Sequence, residues 1–257
     1  MEEFVKEVHS ESSILKTNIS GFDALFSNGG IPQGNAVMVA GGPGTGKSIF
    51  CRQVCNNLIR AGKPCMYVSF EENSERIIRS MNAFGWDVQQ FVESGLFLIQ
   101  KINPLDVLRI KFGSLGGSGS AQELSYKIKP LVIPKDFQPE VIVVDSLSAI
   151  IAASVTKEKN YRVYLQQLFS FFEETKATSL LITETDPLPK RFSESGIEEF
   201  LADGIIVLYN VQQIEGRRNA IEVLKMRYAK HAKKIVQMEI NEHGIDVFPQ
   251  KQISIDF

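Results

Sequence analysis

The chain has 257 residues, of which 44% are hydrophobic and 23% are charged, and its formal net charge is -2. This composition excludes a largely disordered chain, and the near-neutral charge excludes a protein that coats nucleic acid through general basicity. No apolar run reaches the ~18 residues of a membrane span, and the acidic first residues do not form a signal peptide. Three cysteines are too few for a disulfide framework. We therefore expect a cytoplasmic protein with an extension at residues 1–15 and one domain at residues 16–257.

Short apolar runs alternate with stretches that have helical character. The runs that predict strands buried on both faces are residues 36–40, 65–70, 96–100, 141–145, 179–183 and 204–209. The predicted helices are residues 47–61, 74–84 and 161–176. This alternation favours an α/β fold with a mostly parallel central sheet flanked by helices. Later runs predict antiparallel strands added to the sheet edge, at residues 219–227, 235–240 and 245–249.

A glycine-rich segment connects the first of these strands to the first helix. Residues 41–48, here called the phosphate loop, read GGPGTGKS and match the pattern G-x-x-x-x-G-K-[ST] at every position. Glycines let backbone N–H groups turn toward phosphate oxygens, and the following helix adds the positive end of its dipole. In such loops the lysine contacts the β- and γ-phosphates and the final hydroxyl binds Mg²⁺. The residues expected to bind the nucleotide are Gly42, Pro43, Gly44, Thr45, Gly46, Lys47, Ser48 and Ile49.

Acidic residues follow three of the predicted strands. Asp145 ends a run of four β-branched residues and, with Ser48, is the predicted ligand set for Mg²⁺. Glu71 and Glu72 follow the strand at residues 65–70, where a carboxylate is suited to orient or deprotonate a water. On spacing alone, this pair fits equally well a charge pair that favours the next helix N-terminus. Glu184, after Thr183, either belongs to a polar sensor of the γ-phosphate or merely ends a strand.

Several motifs together resemble those of the KaiC-like branch of the RecA/RadA ATPases. They are GFD at residues 21–23, GGIP at 29–32, the phosphate loop, FEE at 70–72, FGWD at 84–87, EEFLADG at 198–204, LKMR at 224–227 and His231. The resemblance extends over residues 15–249 and is closest to single-domain, RadA-paralogue members. It implies a RecA-like P-loop ATPase core that uses ATP and Mg²⁺. It also implies that Glu71 and Glu72 are the catalytic carboxylates, acting with Lys47.

The same resemblance implies a site completed by a second subunit. Alternation along residues 224–227 places Lys225 and Arg227 on one face, which by itself also fits a solvated edge strand. In the family, the matching lysine and arginine contact the γ-phosphate of the next subunit's nucleotide, which requires a homo-oligomer and implies a closed hexamer. The residues that the family brings near the base and ribose of that neighbouring nucleotide are Met226, Ala229, His231, Asn241 and Glu242.

Partners other than the chain itself stay open at this point. The two loops that RecA-like rings place at their channel correspond to residues 152–161 and 186–198. Basic residues in or beside these loops suit single-stranded DNA, although acidic residues lie among them. They are Lys157, Lys159, Arg162, Lys190 and Arg191. Besides an ATPase that drives a change in a protein partner, the alternatives are a recombination accessory ATPase that binds single-stranded DNA and a slow, nucleotide-gated scaffold that binds proteins.

Overall fold

A computed structural model describes residues 13–104, 131–153, 158–187, 189, 191–193, 196–213 and 216–255. Its helices are α1 (Lys47–Arg60), α2 (Ser74–Asn82), α3 (Gln89–Glu93), α4 (Leu147–Ala153), α5 (Glu158–Thr175) and α6 (Ile197–Leu201). Its first strands are β1 (Ile14–Leu15), β2 (Ile31–Pro32), β3 (Ala36–Gly41), β4 (Cys65–Ser69), β5 (Phe97–Lys101) and β6 (Val141–Asp145). The later strands are β7 (Thr178–Glu184), β8 (Gly204–Gln213), β9 (Gly216–Met226), β10 (Val236–Asn241) and β11 (Gly244–Gln252).

The main sheet of the described residues has nine strands in the order β11-β10-β9-β8-β3-β7-β6-β4-β5. The six strands from β8 to β5 are parallel to one another. The strands β9, β10 and β11 extend the β8 edge in antiparallel fashion. The predicted α/β class, with a mostly parallel sheet and antiparallel C-terminal strands, is therefore confirmed.

The predicted strands and helices all form, with ends that shift by a few residues. Elements that the sequence did not predict are short: β1, β2, α3, α4 and α6. A strand of two residues or a helix of five to seven is too short to display its period. Leu15 is fully buried in β1. The division of the chain at residue 15 stays a prediction, because residues 1–12 lie outside the described part.

One predicted channel loop needs correction. The interval 152–161 is helical at both of its ends, since α4 extends to Ala153 and α5 begins at Glu158. Residues 154–157, with Lys157, lie outside the described residues, as does the glycine-rich stretch 113–120. The sequence pattern missed the start of α5 because the charged residues 157–159 hide its apolar periodicity.

The core consists of two apolar layers, one on each face of the sheet. Val37 and Val39 of β3 belong to the layer formed with α1 and α2, whereas Met38 belongs to the layer formed with α5. This alternation follows from the two-residue period of a strand and explains the unbroken apolar runs in the sequence. Cys51 and Cys55 are buried in the first layer.

Phe22 is expected to be a large contributor to stability. Its ring is fully buried and packs edge-on against Phe26 and Phe50, with ring centroids 5.5 and 5.0 Å away. Because removing such a ring leaves a cavity, we expect Phe22→Ala to lower the free energy of unfolding by about 3–5 kcal/mol in urea denaturation. The control is Val132→Ala, because Val132 is 64% exposed. We expect this variant to change the free energy of unfolding by less than about 0.5 kcal/mol. Equal effects of the two variants would contradict this packing.

The strand register brings the candidate side chains to one edge of the sheet. Gly41 pairs with Glu184 at the ends of β3 and β7, and Ser69 pairs with Asp145 at the ends of β4 and β6. Since parallel strands end at the same edge, the phosphate loop, the segment after Ser69, and Asp145 meet there.

Candidate functional site

Two positions of the phosphate loop leave no room for a side chain and can therefore be occupied only by glycine. A Cβ built on Gly41 would lie 2.4 Å from the carbonyl oxygen of Leu208. Gly46 has a φ of 98°, and its Cβ would lie 2.7 Å from Cδ1 of Ile240. The hydroxyl of Thr45 closes the loop by donating to the carbonyl of Gly42 at 2.9 Å. The loop is thus a bare backbone concavity at the start of α1, which suits an anionic ligand.

Lys47 brings a buried ammonium group into this concavity. The residue is 8% exposed, and its Nζ donates to the carbonyl oxygens of Gly41 and Gly42 at 2.9 and 2.8 Å. Burial lowers the pKa of Lys47, and the nearby carboxylates of Glu184 and Asp145 oppose that shift. A cation held between loop carbonyls and carboxylates is suited to neutralise phosphate oxygens.

Two carboxylates at this edge have well-defined but different surroundings. The hydroxyl of Tyr67 donates to Oδ2 of Asp145, and Nη2 of Arg52 lies 3.8 Å from the same oxygen. Glu71 is exposed. Partial burial raises the pKa of Glu71, and the negative charges of Asp145 and Glu184 raise it further. The hydroxyl of Ser48 and the carboxylate of Asp145 are hard oxygen donors, so these residues fit a Mg²⁺ ion.

Glu72 is tied to a basic residue that the sequence analysis did not identify. Arg52, on α1, donates to the carboxylate of Glu72 through Nη2. Its Nη1 donates to Oγ of Ser80 at 2.7 Å, and its Nε donates to the hydroxyl of Tyr67 at 3.3 Å. No local pattern in the sequence singles out Arg52, since polar residues also occupy neighbouring positions of α1.

The sensor interpretation of Thr183 and Glu184 stays a prediction. The hydroxyl of Thr183 is buried and donates to the carbonyl of Phe192 at 3.2 Å. The backbone N–H of Glu184 donates to the hydroxyl of Ser148 at 2.8 Å, which anchors the end of β7 to α4. Of the two residues, Glu184 is thus the one with an exposed side chain at the edge that carries the phosphate loop.

Lys225 and Arg227 lie at the opposite end of the sheet. Lys225 donates through Nζ to the carbonyls of Glu199 and Ala202 at 2.9 and 2.6 Å. Arg227 forms an ion pair of 3.1 Å with Asp203, whose backbone N–H bonds to the carbonyl of Ala36. Ala36 starts β3 and Gly41 ends it, five strand steps or about 17 Å away. The basic pair is therefore well separated from the chain's own phosphate loop.

The structure separates the five residues that were expected beside one neighbouring nucleotide. Met226 pairs with Gly204 at the start of β8, and His231 forms a bridge with Phe26, so these residues and Ala229 lie toward the Lys225 end. Asn241 and Glu242 begin the β10–β11 turn, directly after Ile240, which lies against Gly46. The expectation of a single group is corrected: Asn241 and Glu242 lie with the chain's own phosphate loop.

Few of the basic loop residues can be placed. Arg162 and Arg191 are exposed and line an open depression together with Phe200. Lys157 and Lys190 lie outside the described residues, as does the side chain of Lys159. DNA binding by these residues stays a prediction. In the part of the chain that the structure describes, no helix combines the length and the apolar character needed to span a membrane.

Known proteins resemble this chain in sequence and in structure. A family model described as "ATPase: KaiC" matches residues 15–252. The chain is 30% identical, over 94% of its length, to the circadian clock oscillator protein KaiC of Synechococcus elongatus and to that of Prochlorococcus marinus. It covers 45% and 47% of those two proteins, about half of each. The crystal structure of a KaiC-like protein from Pyrococcus horikoshii matches with a TM-score of 0.75 at 30% identity, covering 93% of this chain and 100% of that one.

Proposed function

The chain belongs to the KaiC family of RecA-superfamily ATPases, and on this basis we propose that it binds ATP with Mg²⁺ and hydrolyses it to ADP and phosphate. The observation that carries the proposal is the buried ammonium of Lys47 inside the glycine-lined phosphate loop. Carboxylates end the neighbouring strands at the same edge. This is the donor set that phosphoryl transfer requires.

Each residue of this edge has a proposed task. Lys47 neutralises the β- and γ-phosphates, exchanging its bonds to the loop carbonyls for bonds to phosphate oxygens. Ser48 and Asp145 would hold Mg²⁺, which would supply positive charge that offsets the negative charge of the phosphates. Glu71 or Glu72 orients a water for attack on the γ-phosphate. Asn241 and Glu242 contact the base side of the same nucleotide, because they lie at the same edge.

A second copy of the chain completes the site in this proposal. The phosphate loop and the pair Lys225–Arg227 lie at opposite ends of one sheet, so they meet only between different copies. Head-to-tail contact of this kind generates a ring or a filament, and the family resemblance favours a homohexamer. Lys225 and Arg227 then contact the γ-phosphate of the neighbour. Met226, Ala229 and His231 then lie near the base and ribose of the same neighbouring nucleotide.

The surface around the basic pair supports this contact. Phe200 and Tyr228, beside Arg227 in space and in sequence, are 80% and 76% exposed, and Leu224 is also exposed. Exposed apolar side chains grouped around cations are typical of a surface that another chain covers. The edge that carries Glu71, Asp145 and Glu184 offers the opposite charge.

The proposed location is a reducing cytoplasm. Cys51, Cys55 and Cys65 are buried free thiols. Burial raises the pKa of Cys51 and of Cys65, so both stay protonated and inert. A chain without disulfides suits this compartment.

The experiment that tests the proposal measures ATP turnover and oligomer mass in the same samples over a dilution series. We expect turnover that needs Mg²⁺ and that falls per subunit as the oligomer dissociates. Hydrolysis by a verified monomer at the oligomer's rate would contradict completion by a neighbour. A parallel series with single-stranded DNA separates the alternatives, because stimulation by DNA would favour the recombination accessory ATPase.

A further inference from the structure

Arg52 is a charged side chain that is almost fully buried. The residue is 5% exposed and lies on the face of α1 that packs under the sheet. A buried guanidinium is tolerated only when its N–H groups are hydrogen-bonded and its charge is compensated. Arg52 meets both conditions through Glu72, Ser80 and Tyr67, with Asp145 nearby. These partners come from four different segments of the chain.

We propose that Arg52 is a positioning residue that gives the two adjacent glutamates different roles. It holds Glu72 as its structural counter-ion, and it thereby leaves Glu71 as the carboxylate that activates the water. This inference rests on the proposed ATPase function and names the catalytic carboxylate within it. Nothing in the paired sequence Glu71-Glu72 distinguishes the two residues, because the difference arises from a side chain about 20 positions away.

The surroundings of the two carboxylates support this division. Oε2 of Glu72 accepts a hydrogen bond from Arg52, and the backbone N–H of Glu72 donates to Oγ of Ser69 at 2.9 Å. In the described residues, the side chain of Glu71 has no ion-pair partner and is exposed at the edge that carries Lys47 and Asp145. A base that takes a proton from water must keep its lone pairs accessible. Glu71 meets this condition better, because one carboxylate oxygen of Glu72 is already bound by Arg52.

The same network also orients Asp145. Tyr67 accepts a hydrogen bond from Arg52 and donates one to Oδ2 of Asp145. Both described contacts of the Asp145 side chain therefore involve Oδ2, and within the described residues Oδ1 is left as a ligand for the metal ion. Arg52 thus acts on the metal site through Tyr67, in the way that outer hydrogen bonds orient the ligands of metals.

The first test compares amide variants of the two glutamates. We expect Glu71→Gln to lower kcat by about 10²–10⁴-fold with little change in KM, because a general base is lost. Glu72→Gln is expected to lower kcat by less than about tenfold, because it only weakens the positioning of its neighbours. Glu75→Gln, three residues further along and exposed on α2, is the matched control. A loss of kcat in Glu72→Gln equal to that in Glu71→Gln would overturn the division of roles.

The second test measures metal binding without turnover. Mn²⁺ binding in the presence of ADP, followed by electron paramagnetic resonance, is expected to weaken about tenfold in Arg52→Met and to recover partly in Arg52→Lys. Tyr67→Phe keeps the ring and loses only the hydroxyl, so it carries this test if Arg52→Met does not fold. Unchanged Mn²⁺ binding in Tyr67→Phe and in any folded Arg52→Met would overturn the role of the network.

The outcomes for the two proposals are distinguishable. If Lys47→Ala abolishes hydrolysis while Glu71→Gln and Glu72→Gln lose equal activity, the division of roles fails and the ATPase function stands. If the unmodified protein releases no phosphate from ATP with Mg²⁺, the proposed function itself fails, whatever the two glutamate variants show.

Discussion

Lys47→Ala is expected to lose ATP hydrolysis by at least about 10²–10³-fold and to bind ADP about 10–100-fold more weakly. The physical reason is the site's burial: the ammonium lies inside a loop where little water is available to replace it as a partner of phosphate. Calorimetric titration with ADP and a phosphate-release assay measure the two losses separately.

The control for this variant is Lys63→Ala. Lys63 is also a lysine with a carboxylate partner, Glu140, but its side chain is only partly buried and lies at the other end of the sheet. We expect Lys63→Ala to bind and hydrolyse ATP like the unmodified protein. Thermal melting of both variants shows whether each is folded. A folded Lys47→Ala with unchanged affinity for ADP would mean that the phosphate loop is not the nucleotide site.

Arg227→Ala is expected to lower hydrolysis by about 10³–10⁵-fold, which is the range for an arginine that stabilises phosphoryl transfer from a neighbouring subunit. The phosphate loop of the Arg227→Ala subunit is expected to stay intact. Arg227 contacts Asp203 beside the first residue of β3, and the loop begins at the other end of that strand, about 17 Å along it. Nucleotide binding is therefore expected to fall far less than hydrolysis. Arg217→Ala, an exposed arginine on β9, the strand that Arg227 directly follows, is the matched control and is expected to keep full activity.

Mixing two inactive variants gives the sharpest test of a shared site. In a mixed oligomer, an Arg227→Ala subunit supplies an intact phosphate loop and a Lys47→Ala subunit supplies an intact arginine. With random equal mixing, about a quarter of the boundaries combine the two intact halves, so activity returns to about a quarter of the normal value. Mixed oligomers, verified by mass, that stay as inactive as either variant alone would exclude completion of the site by a neighbour.

The local part of the site was predictable because its chemistry is contiguous in the chain. Gly46 needs a left-handed backbone and Lys47 follows it at the first turn of α1, so the pattern at residues 41–48 carries its own geometry. The buried strands were predictable for a similar reason, since apolar residues at successive positions are stable only with both faces covered. The family resemblance further predicted the fold class.

The pairing of distant residues was decided only by the tertiary structure. Arg52 and Glu72 are brought together by the packing of α1 against the end of β4, and Tyr67 meets Asp145 because β4 pairs with β6. The strand register also places Asn241 at the phosphate-loop end and Met226 at the other end, although both belong to the antiparallel edge. Strand order and register depend on contacts across the whole core, and for that reason no local pattern of residues encodes them.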